Sequence, residues 1–243
     1  MAEITAVLNV HHEGLLAHVS LISAIAAKRT AEAAGISVDL LIAADSPDDS
    51  TRNYLVTAKA LGARVMVLAF EDLGLARNAA VAASSSRFIA FLDGDDLWSK
   101  QWLIRAYRTA VREASNVIWH PEANLYFGPG GHPWWLVHPN IDETEGDWVN
   151  LALKNHWTAL CFASRNVFVD VPYRCTMLKL GYGYEDWSWN AETVSRGYLH
   201  KEVRGTTHLV RMRPGSMSHR MNSSSALMTP TGLFRSKVGR RPL

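Results

Sequence analysis

Apolar runs alternate with amphipathic stretches from the start of the chain. Residues 4–10, ITAVLNV, are short, rich in β-branched side chains and ended by His11, His12 and Gly14, which predicts a buried strand. Residues 15–34 are Ala-rich and stop at Gly35, which predicts a helix with glycine just past its end. The alternation then repeats. VDLLIAA (38–44) reads as a strand halted by Asp45-Ser46-Pro47, and about 49–61 as a helix followed by Gly62. ARVMVLAF (63–70) reads as a strand, 74–84 as a short Ala-rich helix, and RFIAFL (87–92) as a strand running into Asp93-Gly94-Asp95-Asp96. Strands that are apolar throughout and separated by helices indicate an α/β fold, a parallel sheet covered on both faces. Three of these four strands end in polar residues: Asn9 and His11, Asp45, and Asp93 to Asp96. Ligands of such sheets bind outside the carboxyl ends of the strands. The order of elements alone therefore defines a binding edge.

The second half is less regular. It predicts a helix over 99–114, strands over 116–120 and 158–164, a helix over 185–196 ended by Gly197, and strands over 199–203 and 206–212. Residues 128–146 carry Gly128, Pro129, Gly130, Gly131, Pro133, Pro139 and Gly146 and read as a loop. No internal repeat is visible, and only Ser223–Ser225 is low in complexity.

The chain has 243 residues, 48% of them apolar and 20% charged, which suits one large globular domain and excludes disordered, collagen-like and coiled-coil classes. The expected domain covers 1–220, followed by a tail at 221–243. Net charge is +2, yet the tail holds Arg235, Lys237, Arg240 and Arg241 and no acid, leaving the body at −2. That balance argues against a general nucleic-acid binder. The tail reads as a frayed terminus, or as a weak electrostatic contact with an anionic membrane surface or acceptor. Cys161 and Cys175 show no zinc spacing and make no disulfide framework. The longest apolar stretch, 15–27, is too short to span a bilayer, and no leader pattern opens the chain. The expectation is a soluble, cytoplasmic protein, with peripheral membrane contact as the alternative.

FIAFLDGDDLW (88–98) is the strongest chemical signal. Three carboxylates within four positions repel one another unless a cation or donor groups compensate. Hard carboxylates at a strand end suit Mg²⁺ or Mn²⁺, held with substrate phosphates. The same residues read equally well as an acidic turn before the helix from Ser99. Taken alone, Glu185-Asp186 reads as ordinary charge at a helix N-terminus. His11 and His12 are neighbours on a strand end, where side chains are expected to point opposite ways. Nine tryptophans are unusual for this length. Trp102, Trp119 and Trp157 read as core and Cys161 as a small buried hydrophobe.

In its motifs and their order the chain resembles the GT-A glycosyltransferases of inverting family 2. GLARNAAVAASSSRFIAFLDGDDLW (74–98) is similar to that family's helix, strand and DxD segment. VLNVHHEG (7–14) resembles its first strand and turn, with Asn9 and His11 in place of Pro and Tyr. LLIAADSPDDST (40–51) resembles its second strand and acidic turn, GYEDWSWN (183–190) its ED motif, and VRMRPGSMS (210–218) its late Arg and Gly-Ser segment. The resemblance covers about 4–220.

It implies a GT-A, Rossmann-like single domain with a mostly parallel central sheet flanked by helices, divided into a donor half at 1–98 and an acceptor half at 99–220. It implies a nucleotide-diphosphate sugar as co-substrate, a UDP-sugar first, with Mn²⁺ or Mg²⁺. Asn9, His11 and Asp45 would face the nucleotide, Arg77 and Asn78 would line the donor pocket, and Asp93 would contact the ribose and flank the metal. Asp95 would bind the metal. The order of the motifs turns the reading of Glu185-Asp186 from helix charge to catalysis: Asp186 would be the general base, with Glu185 beside it. Arg211 and Ser216 would hold the diphosphate. Arg213 stands where the family often has His, so His208 and His219 are candidate third metal ligands, and Arg213 would instead neutralise the leaving diphosphate. The implied acceptor is a hydroxyl on a glycan, a lipid-linked glycan, a protein or a nucleic acid, and Trp187, Trp134 and Trp135 would stack on an acceptor sugar. Two other readings remain: a non-catalytic nucleotide- or sugar-binding module, and a sugar nucleotidyltransferase, whose Gly-rich start is missing from residues 7–20.

Overall fold

The computed structural model describes residues 1–113, 116–129, 131–141, 148–216, 219, 221 and 223–238. The four early strands stand where the alternation predicts them. β1 (Ile4–Val10), β2 (Val38–Asp45), β3 (Arg64–Leu68) and β4 (Phe88–Asp93) are parallel, in the spatial order β3-β2-β1-β4. They are joined by α1 (Leu16–Glu32), α2 (Asp49–Ala60) and α3 (Leu73–Ala82). Asp48 caps α2 by accepting the Thr51 N–H, and Asp72 caps α3 by accepting the Leu75 N–H. β1 is buried along its whole length because both faces are covered. Ile4, Ala6, Leu8 and Val10 join the core under α1, while Val7 meets Leu41, Ile89 and Phe91 in the core under α3.

The chain continues through β5 (Leu97–Trp98), α4 (Trp102–Ala110), β6 (Val117–Phe127), β7 (Trp134–Val137), α5 (Trp148–Leu153), β8 (Phe162–Ser164) and α6 (Arg165–Asp170). β9 (Tyr182–Gly183), α7 (Glu185–Ser195), β10 (Leu199–Arg211), β11 (Leu227–Met228) and α8 (Gly232–Val238) complete it. One sheet runs β3-β2-β1-β4-β8-β6-β10-β5, with β7 also on β6. β8 is antiparallel to both β4 and β6 and so joins two parallel groups, because β10 runs parallel to β6. Trp102, Trp119, Trp157 and Cys161 are buried, as expected. Among the described residues, no helix is long and apolar enough to cross a membrane.

Three expectations change. Within the segment read as loop, Trp134–Val137 is a strand, because its backbone pairs with Ala123–Tyr126 of β6; residues 142–147 of that segment lie outside the described residues. The two late strands are one, β10, with a register irregularity between Val203 and Thr207. The tail is docked rather than frayed as far as Val238. Leu227 and Met228 pair with β9, Leu233 of α8 is buried in a cluster with Ala191 of α7, and the Gly232 N–H donates to Glu192. Arg240 and Arg241 lie outside the described residues.

Candidate active site

The carboxyl ends of β1, β2 and β4 open onto a cavity of about 640 Å³. Asn9, His11, Asp45, Asp93, Asp95, Arg211, Arg213 and Ser216 all line it. These are the residues that the chain order assigns to the binding edge and to the late segment. The β1–β4 register sets Asn9 beside Asp93, and the Asn9 amide donates to Asp93 Oδ1 at 3.3 Å. Gly94 is required at this crowded junction: a Cβ there would lie 2.8 Å from the Asn9 carbonyl oxygen.

Strand parity decides where the first carboxylate points. Asp93 shares the face of Ile89 and Phe91, which is the face covered by α3. There it meets Arg77, whose guanidinium is 1% exposed and donates to Asp93 Oδ1 at 3.0 Å and Oδ2 at 3.3 Å. The same guanidinium donates to Glu185 Oε1 at 2.7 Å. Burial works against the Arg77 charge, but Asp93 and Glu185 outweigh it and raise its pKa. Arg77 therefore ties the first turn of α7 to the end of β4, and it does so from beneath the cavity rather than by lining it.

Asp95 and Asp96 diverge. Asp96 is buried and accepts the Arg211 N–H at 2.7 Å; burial, then Asp95 and Asp93, hold its carboxyl well above the ordinary range. Asp95 faces Arg213, which donates from Nε to Asp95 Oδ2 and from its terminal nitrogen to Glu13 Oε1 at 2.9 Å. Burial raises the carboxyls of both Asp95 and Glu13 despite that guanidinium. Glu13 escaped sequence reading: it lies past the end of β1 and finds its partner 200 positions along the chain. The Arg211 side chain adds an Nε–H to the Asp95 carbonyl at 3.1 Å, so the late segment covers the acidic turn.

On the β2 side, Asp45 both lines the cavity and pins a loop, accepting the N–H of Phe70 at 2.7 Å and of Asp72 at 2.9 Å. His11 Nδ1 contacts the Asp45 carbonyl, and His12 Nε2 contacts the Ser46 carbonyl. The two rings stack, with centroids 3.6 Å apart. This corrects the expectation that they diverge: both residues follow the last residue of β1, so strand alternation no longer governs them. Ser46 and Glu71, both cavity-lining, hold φ of 47° and 53°, left-handed values uncommon for residues with side chains.

Asp186 sits in the first turn of α7, behind Tyr184, whose φ is 55°. Asn155 donates to Asp186 Oδ2 at 3.0 Å. Burial pushes the Asp186 carboxyl up to about 7, with Glu185 adding to the rise and Arg77 and the Trp187 N–H opposing it. Trp187 is half-buried and donates its indole N–H to the Leu151 carbonyl at 2.7 Å. Trp134 and Trp135 are exposed on β7, and Trp134 lies flat on Tyr126 with ring centroids 4.0 Å apart. Burial raises the Tyr126 hydroxyl, and the charges of Asp96 and Asp186 add to the rise.

Some candidates do not join the site. His208 is fully buried against Trp98 and Trp102, its ring 4.6 Å from that of Trp102, and both ring nitrogens lack partners. Alternation along β10 puts it on the inward side with Thr206, so it is a core histidine and not a metal ligand. His219 is exposed, and its backbone N–H donates to Ser216 Oγ. Asn78 does not line the cavity; its amide brackets the Tyr173 backbone at 2.8 and 2.9 Å and fixes the loop beside α3. A second cleft of about 730 Å³, between α4 and β10, holds Arg105, Arg108, Lys201 and Arg204 and gathers none of the candidate residues. Among the described residues no group of three or more His, Cys, Asp or Glu side chains is arranged to hold a metal. The oxygen donors present still suit a hard cation shared with a ligand, since Mg²⁺ commonly takes one or two protein carboxylates, with phosphates and water completing its shell. Asp95, with Glu13, Asp45 and Asp93, is among the carboxylates that line the cavity.

A parallel β3-β2-β1-β4 half-sheet, an acidic turn at the switch between β1 and β4, and a second carboxylate helix tethered beneath it define a GT-A-type fold. The profile of "Glycosyl transferase family 2" matches residues 26–170, and the chain belongs to that family. Its fold is similar to that of TarS from S. aureus, residues 1–349 in complex with UDP-GlcNAc, at 14% identity and a TM-score of 0.64, covering 90% of this chain and 61% of that one. It is also similar to the mannosyltransferase PcManGT from Pyrobaculum calidifontis in complex with GDP-Man and Mn²⁺, at 12% identity and a TM-score of 0.61, covering 88% and 58%. The chain thus spans about three fifths of the length of each. No curated protein matches it.

Proposed function

We propose that the chain transfers a glycosyl group from a nucleotide-diphosphate sugar to an acceptor hydroxyl with inversion at the anomeric carbon. The observation that carries this reading is the Arg77 bridge, which fixes Glu185-Asp186 relative to Asp93 and so couples a basic carboxylate to the donor cavity. The nucleotide would lie against His11, Asp45 and Asp93. Structural neighbours bound to UDP-GlcNAc and to GDP-Man with Mn²⁺ support a nucleotide-diphosphate sugar as donor; a UDP-sugar is the first to test. Asp95 would hold a divalent cation, which when bound supplies Lewis-acid neutralisation of the diphosphate. Arg213 would turn its donors from the Asp95 and Glu13 carboxylates onto the phosphates, and Arg211 its Nε–H from the Asp95 carbonyl. Asp186 would take the acceptor proton as the new C–O bond forms and the bond to the diphosphate oxygen breaks. The Tyr126–Trp134 stack, with Trp135 and Trp187, offers aromatic faces for an acceptor sugar.

Calorimetric titration of UDP with Mn²⁺ tests the donor half. Asp95→Ala is expected to weaken that binding tenfold or more, and chelation of Mn²⁺ should weaken wild-type binding comparably. Equal affinity in the variant and wild type would remove Asp95 from the cation site.

A further inference from the structure

Asn155 lies in the loop after α5, far in sequence from the motifs, yet it touches the proposed base. Its orientation is set by hydrogen-bond accounting. The Trp157 carbonyl can only accept, and it faces the side-chain amide of Asn190 at 2.8 Å, so Asn190 presents its NH₂ there. That same fully buried NH₂ meets Asn155 at 2.9 Å, which fixes the Asn155 oxygen toward Asn190. The Asn155 NH₂ is then left to face Asp186 Oδ2, at 3.0 Å. Asn190 stands four positions after Asp186, one turn along α7, so Asn155 spans a single helix face and holds the carboxylate from the side.

We propose that Asn155 is a positioning residue for Asp186, keeping it an oriented, ionised hydrogen-bond acceptor at Oδ2 and directing the incoming proton to the other oxygen. A donated N–H stabilises the charged form of a carboxylate, which a general base requires before it acts. Burial works the other way here, so this contact carries weight. The other groups that act on Asp186 are Glu185 and Tyr184 beside it, Arg77 from α3, Asp93 from β4, Tyr126 from β6, and Tyr173 with Cys161. None of them is altered by replacing Asn155.

The inference rests on Asp186 being the base, but its test does not require the acceptor. Carbon-13 carboxyl NMR of the full chain labelled at aspartate follows the Asp186 titration, assigned by the signal lost in Asp186→Asn. In Asn155→Ala the midpoint is expected to move upward by about one pH unit, because the neutral form no longer competes with a hydrogen-bonded anion. Asn155→Ser, which keeps a small donor, should fall between Ala and wild type and serves if Ala does not fold. A midpoint unchanged in the variants overturns the proposal. If Asp186→Asn keeps full turnover, the base assignment falls instead, whatever the titration shows.

Discussion

Asp186→Asn is expected to cut glycosyl transfer roughly 10²–10⁴-fold while leaving nucleotide binding nearly unchanged. The substitution keeps the shape and removes the proton acceptor. Donor affinity should hold because Asp186 does not line the cavity that gathers Asp45, Asp93 and Asp95. The pH profile sharpens the test. Burial, reinforced by Glu185, pushes the Asp186 carboxyl up to about 7. A base acts when ionised, so the wild-type rate should climb as pH rises through about 7 and level off above it. Asp186→Asn should abolish that limb. The wild-type product should carry the anomeric configuration opposite to the donor's. A variant with near wild-type turnover would move the base elsewhere, with Glu185 the first replacement to test.

Arg77→Met is expected to be the most destabilising single change at the site. It keeps most of the side-chain bulk but leaves Glu185, only 5% exposed, and the part-exposed Asp93 without their shared cation. Breaking a buried ion pair by removing one partner costs about 3–5 kcal/mol. Urea denaturation at neutral pH should show a loss of that size. Turnover should fall as well, because α7 is no longer fastened to the end of β4. A loss under about 1 kcal/mol would mean that the bridge is not what fixes the base against the donor cavity.

The N-terminal half was legible because its signals are local. Parallel strands buried on both faces read as short apolar runs, and the carboxylates at their ends, Asp45, Asp93 and Asp95, land together because those ends share one edge of the sheet. What escaped depends on pairing across the chain. Trp134–Val137 forms a strand only because β6 lies beside it, and a Gly/Pro-rich segment hides that from periodicity. Leu227–Met228 is too short to show a pattern, yet it docks on β9 and makes the tail part of the body. Glu13 and Asn155 carry no motif; Arg213 and Asp186 give them their roles from far along the chain. His208 was misread as a ligand because its surroundings come from other elements: β10 turns it inward against Trp98 of β5 and Trp102 of α4.

The central claim is that the nucleotide diphosphate sits at the β1–β4 edge with its phosphates against Asp95. A crystal structure of the chain with UDP and Mn²⁺, and in parallel with GDP and Mn²⁺, bears on it most directly. The expected result is a nucleotide base beside His11 and Asp45, a diphosphate bridged through Mn²⁺ to Asp95, and the Arg213 guanidinium moved from Glu13 and Asp95 onto the phosphates. A nucleotide seated instead in the Arg105–Lys201 cleft, or one in the cavity whose diphosphate lies away from Asp95, would contradict it.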